Sequence, residues 1–146
     1  KSIYVGLGFG LLFAIEGLLV NYVKYGKITI NPISAYQQYG IVLLLILSVA
    51  TSYSEELLGR GFVFGRILEE RKSLGYAAIL STLMFMALHV PILVLSLKFT
   101  GATLVIFFVT DFLLGLVNAF LYYNTRSLIT PILVHVFWNM TVALYL

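Results

Sequence analysis

The chain reads as an all-α, polytopic transmembrane helix bundle of about five spans. Three observations predict this. Of its 146 residues, 61% are apolar and only 10% are charged, too few charges to keep a soluble domain dissolved. The apolar residues gather into runs of about 20, the length a helix needs to cross a hydrocarbon core of roughly 30 Å. The charges fall in the short gaps between those runs, where interfacial anchors belong.

The first span is expected over Ile3 to Val23. It is long enough to cross and has no small-residue cleavage site, so it reads as a span rather than a cleavable leader. The stretch "KYGKITINPISAYQQYG", with Lys24, Lys27, Asn31 and Pro32, reads as an interfacial loop. A second, unusually long span follows over Ile41 to Leu68. The third, fourth and fifth are expected over Gly75 to Leu97, Ala102 to Tyr123 and Ser127 to Leu146. Their connections "EERKS", "KFTG" and "NTR" leave room only for antiparallel hairpins. Lys1, Arg66, Arg71, Lys72 and Arg126 fall on one side, against Lys24, Lys27 and Lys98 on the other, which favours a cytoplasmic start. Tyr122, Tyr123 and Tyr145 near span ends read as aromatic anchors. With no repeat or low-complexity tract, residues 1–146 are read as one integral membrane domain.

Composition also excludes function classes. There is no cysteine, hence no disulfide framework, thiol nucleophile or thiolate-ligated metal. A formal charge of +3 is too small to suggest nucleic acid as a partner; the lipid bilayer is the expected surrounding.

Against this apolar background, "TSYSEELLGRGF" is anomalous. If Ile41 to Leu68 is one helix of about 28 residues, its midpoint falls at Ser54 and Glu55. An ionised side chain at the centre of a lipid-facing helix costs on the order of 2.5 to 3.5 kcal/mol, so Glu55 and Glu56 are expected to face protein or enclosed water. Arg60, four residues after Glu56, is the expected local partner for that acid on an α-helical face. Adjacent residues point about 100° apart, so Glu55 and Glu56 are not expected to face one chamber wall together. His89 lies mid-span in "FMALHVP". His135 and Asn139, four apart in "HVFWN", stack on one face of the fifth span. Polar groups at one depth on several spans imply an intramembrane polar chamber. Glu16 and Asp111 also lie within spans but match no motif and are read as structural. Gly61-x-x-x-Gly65 is read as a close-packing pattern.

Taken in order, Glu55-Glu56-x-x-x-Arg60, Phe85-x-x-x-His89 and His135-x-x-x-Asn139 resemble the three motifs of the CAAX protease and bacteriocin-processing family of intramembrane proteases, which includes the type II CAAX prenyl endopeptidases. The flanking phrase "GLVNAFLYYNTRSLITPILVHVFWN" is similar too, and the resemblance covers roughly residues 48–142. It implies an endopeptidase in which Glu55 and His89 activate a water while His135 and Asn139 hold the carbonyl oxygen of the scissile bond. Glu56 and Arg60 are implied in support. The substrate it implies is a membrane-associated peptide or protein, prenylated and CAAX-type or bacteriocin-like. The small core leads us to expect a prokaryotic cell membrane.

The residues fit that chemistry. A carboxylate is a competent general base, and Asn and His are donors that count most in a water-poor chamber. No cofactor is expected. Glu55, His89 and His135 would also make a three-ligand zinc site with an open position, so zinc is the alternative. Two other classes share some of these features: a proton-coupled transporter, which also uses intramembrane Glu and His, and a non-catalytic bacteriocin-immunity-type binding protein.

Overall fold

The computed structural model describes residues 1–30, 34–96 and 100–145. Asn31, Pro32, Lys98 and the predicted span ends at Leu97 and Leu146 lie outside the described residues. Those described are helical, with no strand among them. The helices are α1 (Ser2–Tyr25), α2 (Ser34–Glu56), α3 (Gly65–Arg71), α4 (Leu74–Pro91), α5 (Gly101–Thr125) and α6 (Ile129–Tyr145). Two segments, Leu57–Phe64 and Ile92–Ser96, are π-wound. Four stretches are long and apolar enough to cross a membrane: Ser2–Val23, Gly40–Arg71, Leu74–Leu95 and Leu104–Thr125. The fifth expected span is the shorter α6, whose 17 residues rise about 25 Å. Large apolar side chains such as Leu12, Leu19, Val42, Leu88 and Val105 stand exposed along these helices, as lipid-facing residues of an integral membrane protein do.

Local chemistry explains several boundaries. α1 stops at Gly26, whose left-handed φ of 70° lets its N–H close onto the Tyr22 carbonyl. Gly40, at φ 74°, breaks the helical path early in α2, so the part that can cross begins there. At the tight turns after α3 and α5 the left-handed cap is not glycine. Lys72 and Arg126 occupy it at φ 53°, each N–H bonding the carbonyl four residues back. Pro91 has no N–H to continue the ladder, and beyond it the winding changes to π.

The chain divides into two compact units. Unit one comprises Lys1–Glu56 and Ser127–Leu146, which is α1, α2 and α6; unit two is Leu57–Arg126. In unit one α1 runs parallel to α6. Thr130 Oγ1 donates to the Ser2 carbonyl, and Gly6 meets Leu133, Gly10 meets Phe137 and Gly17 meets Thr141 in ascending order on both helices. A Cβ at Gly10 would lie 2.5 Å from Phe137 Cδ2, and one at Gly17 2.2 Å from Thr141 Cγ2, so only glycine permits the approach. Phe13 packs edge-on to Trp138, with ring centroids 6.2 Å apart. Asn21 ties off the far end. Its Oδ1 accepts from Thr29 N, and its Nδ2 donates to the carbonyls of Thr29 and Tyr145.

α2 packs on α6 in the opposite direction. Leu44, Ser48, Ser52 and Glu56, each four residues from the last, form its buried stripe. Ser48 meets Met140, Ser52 meets Asn139 and Glu56 meets His135, descending on α6 as they ascend on α2. With α1 parallel to α6 and α2 antiparallel to it, the first, second and fifth expected spans alternate as successive crossings require.

In unit two, Phe64, Ala77 and Ala119 form a buried apolar cluster against which Leu68, Leu74, Tyr122 and Tyr123 pack. The small residue that admits a neighbour here is Gly115, where a Cβ would stand 2.4 Å from Thr82 Cγ2. The expected Gly61-x-x-x-Gly65 contact is not seen at Gly65. A Cβ there would meet just the Arg60 carbonyl, at an ordinary 3.9 Å, because π winding changes which residues share a face.

Candidate active site

The last turn of α2 delivers both glutamates, and the middle of α6 delivers His135, to the seam between those helices. Glu56 is completely buried, His135 nearly so, and Glu55 keeps about a third of its side-chain surface open. Glu56 Oε1 lies 2.8 Å from His135 Nδ1. An ionised carboxylate only accepts, so the Nδ1 proton points at Glu56. On the other side of the ring, Nε2 lies 3.4 Å from Glu55 Oε2. That contact is an ion pair whenever the ring is protonated.

The two side chains diverge, as expected of adjacent helical residues, and the imidazole presents one nitrogen to each. The divergence is what lets a single ring meet both. Beyond Glu56 the chain passes into unit two, where Arg60 lies in the π-wound segment Leu57–Phe64. Within its own unit the partner of Glu56 is His135.

One turn along α6, Asn139 donates through Nδ2 to Ser52 Oγ at 3.2 Å and to Thr51 Oγ1 at 3.4 Å. The structure thus brings Glu55, Glu56, His135 and Asn139 together in unit one. In that set Ser52 and Thr51 were not anticipated. Their signal was available: Ser48, Ser52 and Glu56 repeat every four residues, a polar stripe on an otherwise apolar helix.

His89 and Arg60 belong to unit two. His89 is half-buried near the end of α4, its Nδ1 3.0 Å from the Phe85 carbonyl one turn back and its ring tilted against that of Phe85, centroids 4.3 Å apart. A carbonyl can only accept, so Nδ1 carries the proton and, in the neutral ring, Nε2 is the basic nitrogen. Arg60 is buried, donates to the Gly115 carbonyl at 3.2 Å and lies over the Phe85 ring at 4.9 Å. Phe85 therefore touches both residues. Of the acids read as structural, Asp111 is buried in α5. Glu16 is partly buried in α1, with Oε2 enclosed and without a hydrogen-bond partner among the described residues.

Compared with known proteins, the chain matches the family described as type II CAAX prenyl endopeptidase Rce1-like over residues 37–141. No curated protein and no solved structure matches it. The matched range contains all three motifs and leaves out α1, as the motif placement anticipated. A match over well more than half of its length makes the chain a member of the type II CAAX prenyl endopeptidase Rce1-like family.

Proposed function

We propose that the protein is an intramembrane endopeptidase that hydrolyses a peptide bond near the C-terminus of a lipidated, membrane-associated substrate, with Glu55 as the base acting on water. The observation that carries this is the His135 ring held between a buried Glu56 and a partly open Glu55. A carboxylate held beside a fixed imidazole, with one side open, can take a proton from water and return it. In the proposed sequence Glu55 removes that proton as the water oxygen bonds to the carbonyl carbon. The carbonyl oxygen gains the charge, and an Asn139 N–H, with the His135 proton, stabilises it. The C–N bond then breaks as the proton passes to the leaving amine. His89, whose Nε2 is basic when Nδ1 bonds Phe85, is assigned the second hold on the water; Arg60 and Glu56 act by positioning.

We further propose that no metal takes part. The sequence has no His-Glu-x-x-His helix, and Asn139, on the His135 face, is a better hydrogen-bond donor than zinc ligand. One tightly held zinc per purified chain, with activity lost on chelation, would replace this reading with the zinc alternative.

The direct experiment is to incubate the full chain in detergent with matched prenylated and unprenylated C-terminal peptides and to identify products by mass. Cleavage that disappears in Glu55→Gln supports the reading. Undiminished cleavage by Glu55→Gln, or binding of intact peptide without any product, would sink it in favour of another base or a binding protein.

A further inference from the structure

Asn139 can only help an oxyanion if its amide presents nitrogen rather than oxygen, and the two faces of that amide are nearly the same shape. Something in the fold must tell them apart. Ser52 cannot do so alone. Its hydroxyl either donates or accepts, so it would satisfy Asn139 Oδ1 as well as Nδ2. Thr51 is different because its single proton is already committed within its own helix. Thr51 Oγ1 lies 2.9 Å from the Leu47 carbonyl and 3.2 Å from that of Ser48. Both are acceptors, so the proton goes to one of them, and toward Asn139 the oxygen offers only lone pairs. A carbonyl oxygen of Asn139 placed there would meet an acceptor with an acceptor.

We infer that Thr51 and Ser52 are positioning residues that set the polarity of the Asn139 amide: Thr51 selects nitrogen over oxygen, and the buried Ser52 anchors the group once selected. This rests on the proposed role of Asn139 in holding the substrate carbonyl. The two contacts also differ in accessibility. Ser52 is fully buried, whereas Thr51 is exposed and its contact with Asn139 is the longer one. The arriving carbonyl oxygen therefore displaces Thr51 Oγ1 and takes over its N–H, while Ser52 keeps its own. Thr51 is a placeholder for the substrate oxygen in the empty site.

Thr51→Val keeps the shape and removes the lone pairs, so the amide is free to turn over on Ser52. The kcat/KM for peptide cleavage should fall roughly five- to tenfold, the weight of one hydrogen bond, with melting temperature little changed. Thr51→Ser, which restores the hydroxyl, should recover most of that loss. On the residual activity of an Asn139→Ala background, Thr51→Val should have no further effect on kcat/KM. Ser52→Ala should lower kcat/KM by a comparable factor, again only while Asn139 is present. If Thr51→Val leaves kcat/KM unchanged while Asn139→Ala lowers it sharply, the polarity inference fails and the catalytic reading stands. If Asn139→Ala and Glu55→Gln both cleave normally, the catalytic reading itself has failed. An equal effect of Thr51→Val with and without Asn139 would mark Thr51 as acting elsewhere and overturn the inference.

Discussion

The α2–α6 seam of unit one and the helices of unit two hold polar side chains by different kinds of bond. Along that seam, side chains meet side chains: His135 with both glutamates, Asn139 with Ser52, Ser48 with Met140. In unit two, three polar side chains bond carbonyls of their own helix: His89 to Phe85, Thr110 to Ile106 and Phe107, Ser81 to Ala78. A bond to a carbonyl within the same helix survives when the neighbouring helix shifts. A bond between side chains on two helices needs both in register, and losing one partner strands the other in a medium with no water to replace it. The first arrangement tolerates change; the second converts small changes into large ones, which suits a site and not a scaffold.

That contrast is open to test, and the largest effect is expected on the open side of the ring. Glu55→Gln keeps the shape and removes the base, so cleavage should fall by about 10²- to 10⁴-fold, with folded protein recovered in normal yield by size-exclusion chromatography. Glu56→Gln strikes the buried side. Breaking a buried charged pair costs on the order of 3 to 5 kcal/mol, so thermal stability in detergent should drop along with activity. Should Glu56→Gln prove stable and inert while Glu55→Gln stays active, the two acids have exchanged roles.

Smaller effects probe the packing beneath. Gly10→Leu drives a branched side chain into Phe137 and should cost about 1 to 3 kcal/mol as overpacking, seen as a lower melting temperature. Because α6 is gripped by α1 on one side and α2 on the other, the same substitution should reduce cleavage by displacing His135. Smallest of all should be Ser81→Ala in unit two, whose hydroxyl bonds its own helix. A change within about 0.5 kcal/mol and full activity are expected. A large loss there would erase the distinction between the two units.

How far the sequence revealed this arrangement depended on which rule each feature obeys. Span positions were legible because lipid demands long apolar runs, and the predicted starts of the first four come within about two residues of the observed ones. Glu55, Glu56, His135 and Asn139 were legible as a group because i, i+4 spacing holds in α2 and α6. Nothing in "LLGRGFVF" announces the π winding of Leu57–Phe64. The Gly6, Gly10 and Gly17 face of α1 obeys the small-residue rule but lacks the regular four-residue spacing throughout that draws the eye to Gly61-x-x-x-Gly65. The two nitrogens of one imidazole serving two adjacent acids lay beyond helical periodicity, because that arrangement depends on how deeply a side chain from another helix is inserted.

The separation of 79 positions from Glu56 to His135 also sets a schedule. A ribosome adding about 5 to 20 residues per second emits the acid pair several seconds before its histidine. During that interval the α2 segment holds two glutamates without the His135 ring, each costing on the order of 2.5 to 3.5 kcal/mol if ionised in lipid. The membrane therefore receives a poorly inserting helix first and its remedy afterwards. A nascent chain halted before α6 should leave α2 shallow, mobile or held by the insertion machinery. The order of synthesis thus sets the order of assembly: the segment that brings His135 to the glutamates is also the one that makes those acids tolerable to the bilayer.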